Sequence, residues 1–173
     1  MNRAALIRAN GTPEWFDDPL VRETAPAIIN ARAEMYSSRR TVHGAQTFGM
    51  RNTKRLHAVG VRFVLGSDTA GDANRWIGMM TLVELENMVA AGFTPAEAIV
   101  AATRDAAAVL RLDQLGTIAP GKSADFIVLD ANPLENIANT RKIAKVYPRG
   151  QEVDRAGLRA KRQAQWSKAA STR

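Results

Sequence analysis

Gly60-Val61-Arg62-Phe63-Val64-Leu65-Gly66-Ser67-Asp68 is the stretch on which the reading of this chain turns. A run rich in β-branched and aromatic residues, bounded by glycine at each end, has the pattern of a short strand buried on both faces. The strand is expected over residues 61–66. The tight loop that follows, Gly66-Ser67-Asp68-Thr69-Ala70-Gly71, places one carboxylate at the strand's C-terminal end. Upstream, Asn52 to Val59 suits a short helix closed by Gly60, a usual C-terminal signal. Downstream, a helix is expected from Trp76 to Ala91, with apolar Leu82, Leu85, Met88 and Val89, interspersed Glu84 and Glu86, and Gly92 at its end.

Thr94-Pro95-Ala96-Glu97 is a capping box. Thr94 accepts from the amide three residues on, Pro95 is pre-set for the first turn, and Glu97 reaches back. The helix it opens is expected to bury Ile99, Ala102, Ala106, Val109 and Leu110 along one stripe. After Gly116 the period changes to two. Strands are expected at 117–118, 124–129 (broken by Asn132-Pro133), 143–147 and 151–153, the last two joined through Pro148-Arg149-Gly150. The fold class is therefore α/β, with a small antiparallel sheet after the helices.

The motifs stand in a definite order: Gly60 to Asp68, Ala91 to Ala98, Ala101-Ala102-Thr103, Leu115 to Asp125 and Asn132-Pro133-Leu134. Together they resemble the eighth barrel strand and C-terminal segment of the amidohydrolase superfamily, nearest its imidazolonepropionase-like members. The resemblance runs over about residues 50 to 155. It implies the C-terminal fragment of a (β/α)8 TIM-type barrel with part of a small β-sandwich domain. Residues 1–112 would then belong to the barrel, with one strand at 61–66. Residues 113–154 would form a partial β-sandwich, and 155–173 a basic tail.

The same resemblance implies the chemistry. In such enzymes the aspartate after the eighth strand contacts a divalent metal, zinc, and handles the proton of the attacking water. That position is Asp68, the candidate for both the catalytic and the metal-binding role. Water on zinc has its pKa lowered to about 7, and a nearby carboxylate can accept its proton and return it to a leaving amine. The expected reaction is hydrolysis of an amide or cyclic amide C–N bond in a small-molecule substrate. Cyclic amides, N-acyl amino acids and dipeptides all suit this apparatus, and no residue singles one out. Asp72, Arg75, Glu84 and Glu86 follow the loop and read as charged helix faces rather than site residues.

The family's His-x-His, its lysine or glutamate bridge and its later histidines have no counterpart here. The chain has two histidines, His43 and His57, and no cysteine. Neither histidine has ligand spacing with another, and a catalytic zinc takes three protein ligands plus water. His57 reads as a satisfied helical histidine and His43 as a loop residue. The chain alone is accordingly expected to be inactive, its other ligands and its missing partner being the N-terminal barrel portion. A truncated gene, an assembly fragment, a split enzyme and a non-catalytic remnant all accommodate this.

The composition, 46% apolar and 24% charged, is that of a soluble globular protein. No apolar run approaches the 18 to 20 residues of a membrane span, and the opening residues have no secretory core. Cytoplasmic location without membrane association is expected. The net charge of +7 is uneven: residues 1–140 sum to −1, and residues 141–173 to +8. Basicity of that kind suits a solvated, partly helical tail. A nucleic-acid-binding module is the weaker alternative, because no aromatic interleaving or recognition-helix pattern accompanies the charge. Near the N-terminus, Asp18-Pro19 and Pro26 mark two possible helix starts, and Trp15-Phe16 a packing anchor.

Overall fold

A computed structural model describes residues 42–67 and 79–170. The expected features at Trp15-Phe16, Asp18-Pro19 and Pro26, and the residues from Asp68 to Gly78, lie outside them. In chain order the elements are α1 (Val42–Ala58), α2 (Met79–Ala90), α3 (Pro95–Ala102), α4 (Arg104–Val109), β1 (Phe126–Leu129), a 3-10 helix (Ile137–Arg141), β2 (Ile143–Tyr147) and α5 (Arg155–Ala170). Two compact units divide within α3, between Ile99 and Val100.

In the first unit, α1 begins ten residues before the expected Asn52, so the backbone at His43, read as a loop residue, is helical. Gly44 and Gly49 each cost about 1 kcal/mol against alanine, but the intervening Ala45 and Gln46 favour helix. The helix closes as expected at Gly60 (φ +82°). The Gly60 N–H donates to the His57 carbonyl (2.9 Å) and the Val61 N–H to that of Leu56 (3.1 Å), which satisfies the last turn. Helix α2 ends in the same motif, with Gly92 donating to Val89 (2.9 Å) and Phe93 to Met88 (3.2 Å). Its buried side chains are Met80, Val83, Leu85 and Met88, followed by Ala91 and Phe93. Val83 is the most buried of them, and Leu82 and Val89 are only half-buried. The buried face is thus rotated from the expected one.

The strand expected at 61–66 is not formed. Residues 61–67 carry no regular structure, and Val61 and Val64 are each 44% exposed. A central strand needs a neighbour on each edge to satisfy its N–H and C=O groups. Among the described residues the only ladder is β1 with β2.

The single helix expected after the capping box is two. Thr103 leaves helical geometry (φ −122°, ψ −86°) between α3 and α4. Ala98, Ala101 and Ala107 are buried, the expected Ile99, Ala102 and Ala106 are half-buried, and Val109 and Leu110, beyond the break, are exposed. Gly116 (φ +84°) returns the chain close to α4. A Cβ there would lie 2.7 Å from the Ala107 Cβ and 2.9 Å from the Thr103 carbonyl oxygen.

In the second unit β1 and β2 pair antiparallel, Phe126 opposite Tyr147 and Val128 opposite Lys145, with an irregularity between Val128 and Leu129. The Phe126 and Tyr147 rings stack at 4.7 Å. Asn132-Pro133 ends β1 as expected: the Asn132 side chain accepts from the Leu134 N–H (3.0 Å). The expected strands at 117–118 and 151–153 are absent among the described residues. What remains of the second hairpin is the backbone bond from Val153 N–H to the Val146 carbonyl (2.9 Å) and the side-chain bonds that Lys145 (3.0 Å) and Tyr147 (2.7 Å) donate to Glu152. The turn after β2 is committed elsewhere, because Arg149 N–H donates to Asp125 (3.1 Å) and Gly150 N–H to the Ala124 carbonyl (2.9 Å).

The basic tail is helical over Arg155–Ala170. Asp154 caps α5 by accepting from the Gly157 N–H (2.9 Å). The Arg155 guanidinium donates to the carbonyls of Ile143 and Ala144, so the first tail cation is bound to β2. No helix among the described residues is long and apolar enough to cross a membrane.

Candidate functional site

Asp68 lies outside the described residues, one position beyond Ser67. What the structure does show is the packing of the segment that leads to it. Phe63 sits midway along residues 61–67 and meets the Phe93 ring edge-on, with centroids 5.3 Å apart and planes at 90°. This is one of the favoured geometries for two aromatic quadrupoles. Phe93, 6% exposed, follows the α2 cap directly. On it lies the imidazole of His57, stacked at 3.9 Å with an interplanar angle of 28°.

Glu97 completes the group. Its Oε2 accepts from the Thr94 N–H (2.7 Å) and hydroxyl (2.8 Å), while the Glu97 N–H donates to the Thr94 hydroxyl (3.2 Å). The capping box is therefore made as the sequence implied. Its Oε1 lies 3.5 Å from the His57 Nε2. The Thr94 backbone N–H, then its hydroxyl, and to a smaller extent His57, hold the Glu97 carboxyl below the ordinary glutamate value. One carboxylate thus caps α3 with one oxygen and faces α1 with the other.

His57 is a packed and partnered side chain, and the side chain of His43 is outside the described residues. Glu84, half-buried on α2, accepts from the Asn87 amide (2.9 Å). No group of three or more His, Cys, Asp or Glu that could hold a metal occurs among the described residues. They do not fit a catalytic zinc by themselves. The sequence marked Glu97 as a cap and His57 as a helical residue. That the two meet across Phe93 had no sequence signal, because Glu97 lies forty residues from His57.

Residues 30–153 match the family model described as the amidohydrolase family. Over 71 residues the chain is 42% identical to imidazolonepropionase from Pyrobaculum arsenaticum, covering 40% of this chain and 17% of that protein. It is 38% identical over 71 residues to adenine deaminase from Desulfitobacterium hafniense, covering 41% of this chain and 11% of that protein. Among solved structures it is similar to molinate hydrolase, with a TM-score of 0.58 and 30% identity, over 75% of this chain and 30% of that one. The chain therefore spans less than a fifth of the two curated relatives' length.

Proposed function

Since the chain belongs to the amidohydrolase family, whose members are hydrolases acting on C–N bonds, we propose that it is the C-terminal part of a metal-dependent hydrolase of small molecules. Its barrel portion is residues 1–112, its β-sandwich portion 113–154, and its substrate an amide or cyclic amide. The observation that carries this is the match over residues 30–153, which includes Asp68 and the motifs on both sides of it. A divalent metal, zinc, would supply an activated water in the complete enzyme, with its other ligands outside this chain. The part of this chain is the Asp68 carboxylate, which takes the proton of the attacking water and hands it to the leaving nitrogen. A carboxylate suits both transfers because it is ionised before the first and becomes an acid after it.

The test is Asp68→Asn in a chain carrying the complete barrel. Asparagine keeps the size and much of the hydrogen bonding but cannot accept the proton. kcat should fall by about 10² to 10⁴, the usual contribution of general acid–base catalysis, with the melting temperature unchanged. Normal turnover by the variant would remove Asp68 from the chemistry.

A further inference from the structure

The turn that follows β2 has a backbone that its first central residue does not favour. Arg149 and Gly150 are both left-handed, at φ +51° and +76°, and the Gln151 N–H donates across them to the Pro148 carbonyl (3.1 Å). Two central residues of positive φ characterise the type I′ turn, whose first central place ordinarily goes to asparagine, aspartate or glycine. Arginine there is strained. Residues 123–125, just before β1, receive the N–H groups of both left-handed residues: Arg149 donates to the Asp125 Oδ1 (3.1 Å) and Gly150 to the Ala124 carbonyl (2.9 Å). The other carboxylate oxygen of Asp125 accepts from the Ser123 hydroxyl, and the Ser123 N–H donates to the Gln114 carbonyl (2.9 Å), past α4. One carboxylate thus joins a segment tied to Gln114 with one oxygen and the strained turn with the other.

We infer that Asp125 is a charge-operated clasp: ionised, its carboxylate holds the Pro148–Gln151 turn against residues 123–125, and on taking up a proton it lets the turn go. An ionised carboxylate only accepts, so it can receive the Ser123 hydroxyl and the Arg149 N–H together. A protonated one must place its own hydrogen, and its bonds lose the strengthening that charge gives. The bond that offsets the strain at Arg149 weakens with them. The Ser123 hydroxyl first, then the Arg149 N–H, and to a smaller extent the positive charge of Arg149 hold the Asp125 carboxyl below the ordinary aspartate value of 3.8. The unfolded chain therefore binds this proton more tightly than the folded one, and the clasp is complete above 3.8 and lost as pH falls from there through the lowered value. Glu152 is a second acid on the same hairpin. Tyr147 (2.7 Å) and Lys145 (3.0 Å) donate to it and lower its carboxyl as well, so the two acids have to be told apart by substitution.

Hydrogen–deuterium exchange of the whole chain, resolved to single amides by fragmentation mass spectrometry and corrected for intrinsic rates, reads the clasp at Arg149 and Gly150. The amide of Asp130, bonded to the Lys142 carbonyl (2.8 Å) at the far end of the ladder, reports opening of the sheet as a whole. At neutral pH, Asp125→Ala should raise exchange at Arg149 and Gly150 by about three- to tenfold, the range of one hydrogen bond, with Asp130 unchanged. Asp125→Asn, which keeps an acceptor oxygen without the charge, should fall between the two. Adding Arg149→Gly to Asp125→Ala should return Gly150 toward its wild-type exchange, because glycine takes a left-handed φ without strain. In wild type and in Glu152→Gln, protection of the Arg149 amide should drop as pH falls below 3.8, and in Asp125→Asn it should stay level. Unchanged exchange in Asp125→Ala would overturn the proposal, as would a rise at Asp130 equal to that at Arg149. An acid loss that persists in Asp125→Asn and vanishes in Glu152→Gln would also overturn it, by moving the sensitivity to Glu152.

Discussion

Gly116 illustrates how one residue position decides a local path. Its φ of +84° is disfavoured for any side chain, and a Cβ would meet the Ala107 Cβ at 2.7 Å and the Thr103 carbonyl oxygen at 2.9 Å. Backbone atoms cannot move aside as a flexible side-chain end can. Gly116→Ala should destabilise the second unit by about 2–4 kcal/mol, the sum of overpacking and left-handed strain. Gly121 has a similar φ of +80° with nothing within 4 Å of the added atom, so Gly121→Ala should cost only about 1–2 kcal/mol. Denaturant midpoints followed by circular dichroism separate the two, and equal shifts would show that the contact with α4 carries no weight. In the sequence Gly116 reads only as a change of period. The contact that makes it obligatory joins residues nine and thirteen positions apart.

At the scale of the element, α3 depends on a cap whose acid member is also the partner of α1. Glu97 has its carboxyl pKa lowered by the Thr94 donors first and by His57 less. The unfolded chain therefore binds this proton more tightly than the folded one. The resulting stabilisation is fully present above the ordinary glutamate value of 4.5 and is lost as pH falls from there through the lowered value. Glu97→Gln keeps a capping side chain without the charge. Wild type should melt higher than the variant at neutral pH, and the gap should close in acid. A gap that persists unchanged to acid pH would show that the ionised carboxylate contributes nothing. The capping box was fully legible beforehand, because all of its atoms belong to four consecutive residues. The end of the helix was not: Thr103 interrupts a run that its alanines alone would continue.

Over the whole molecule, apolar surface remains uncovered in both units, and it sets behaviour in solution. Ile118 is 83% exposed, Ile127 47%, Val61 and Val64 44% each, and the two-stranded sheet has open edges. Exposed apolar patches and unpaired edges promote association. The purified chain should self-associate or melt with poor cooperativity, and a monodisperse monomer with a sharp two-state transition would contradict this. The second expectation at this scale concerns metal. With two histidines, no cysteine, and no group of three metal-capable side chains among the described residues, the dialysed chain should retain far less than one equivalent of zinc. Stoichiometric zinc by elemental analysis would require ligands other than those discussed.

The sequence by itself determined the family and the features made by neighbouring residues. These are the glycine caps at Gly60 and Gly92, the Thr94–Glu97 box, the stop at Asn132-Pro133 and the separation of charge between the body and the last 33 residues. Such features close their hydrogen bonds within a few positions, so local order is enough to reveal them. The tertiary structure alone decided which faces of α2 and α3 are buried, that β2 pairs with β1 rather than with residues 151–153, and that Arg155 serves β2. It also left 61–67 without the ladder their composition suits. A strand exists only through its partners, and a buried face only through what covers it, so both depend on residues distant in the chain. The stack of His57 on Phe93, whose ring Phe63 meets edge-on, is of the same kind, bringing together α1, the cap of α2 and the approach to Asp68.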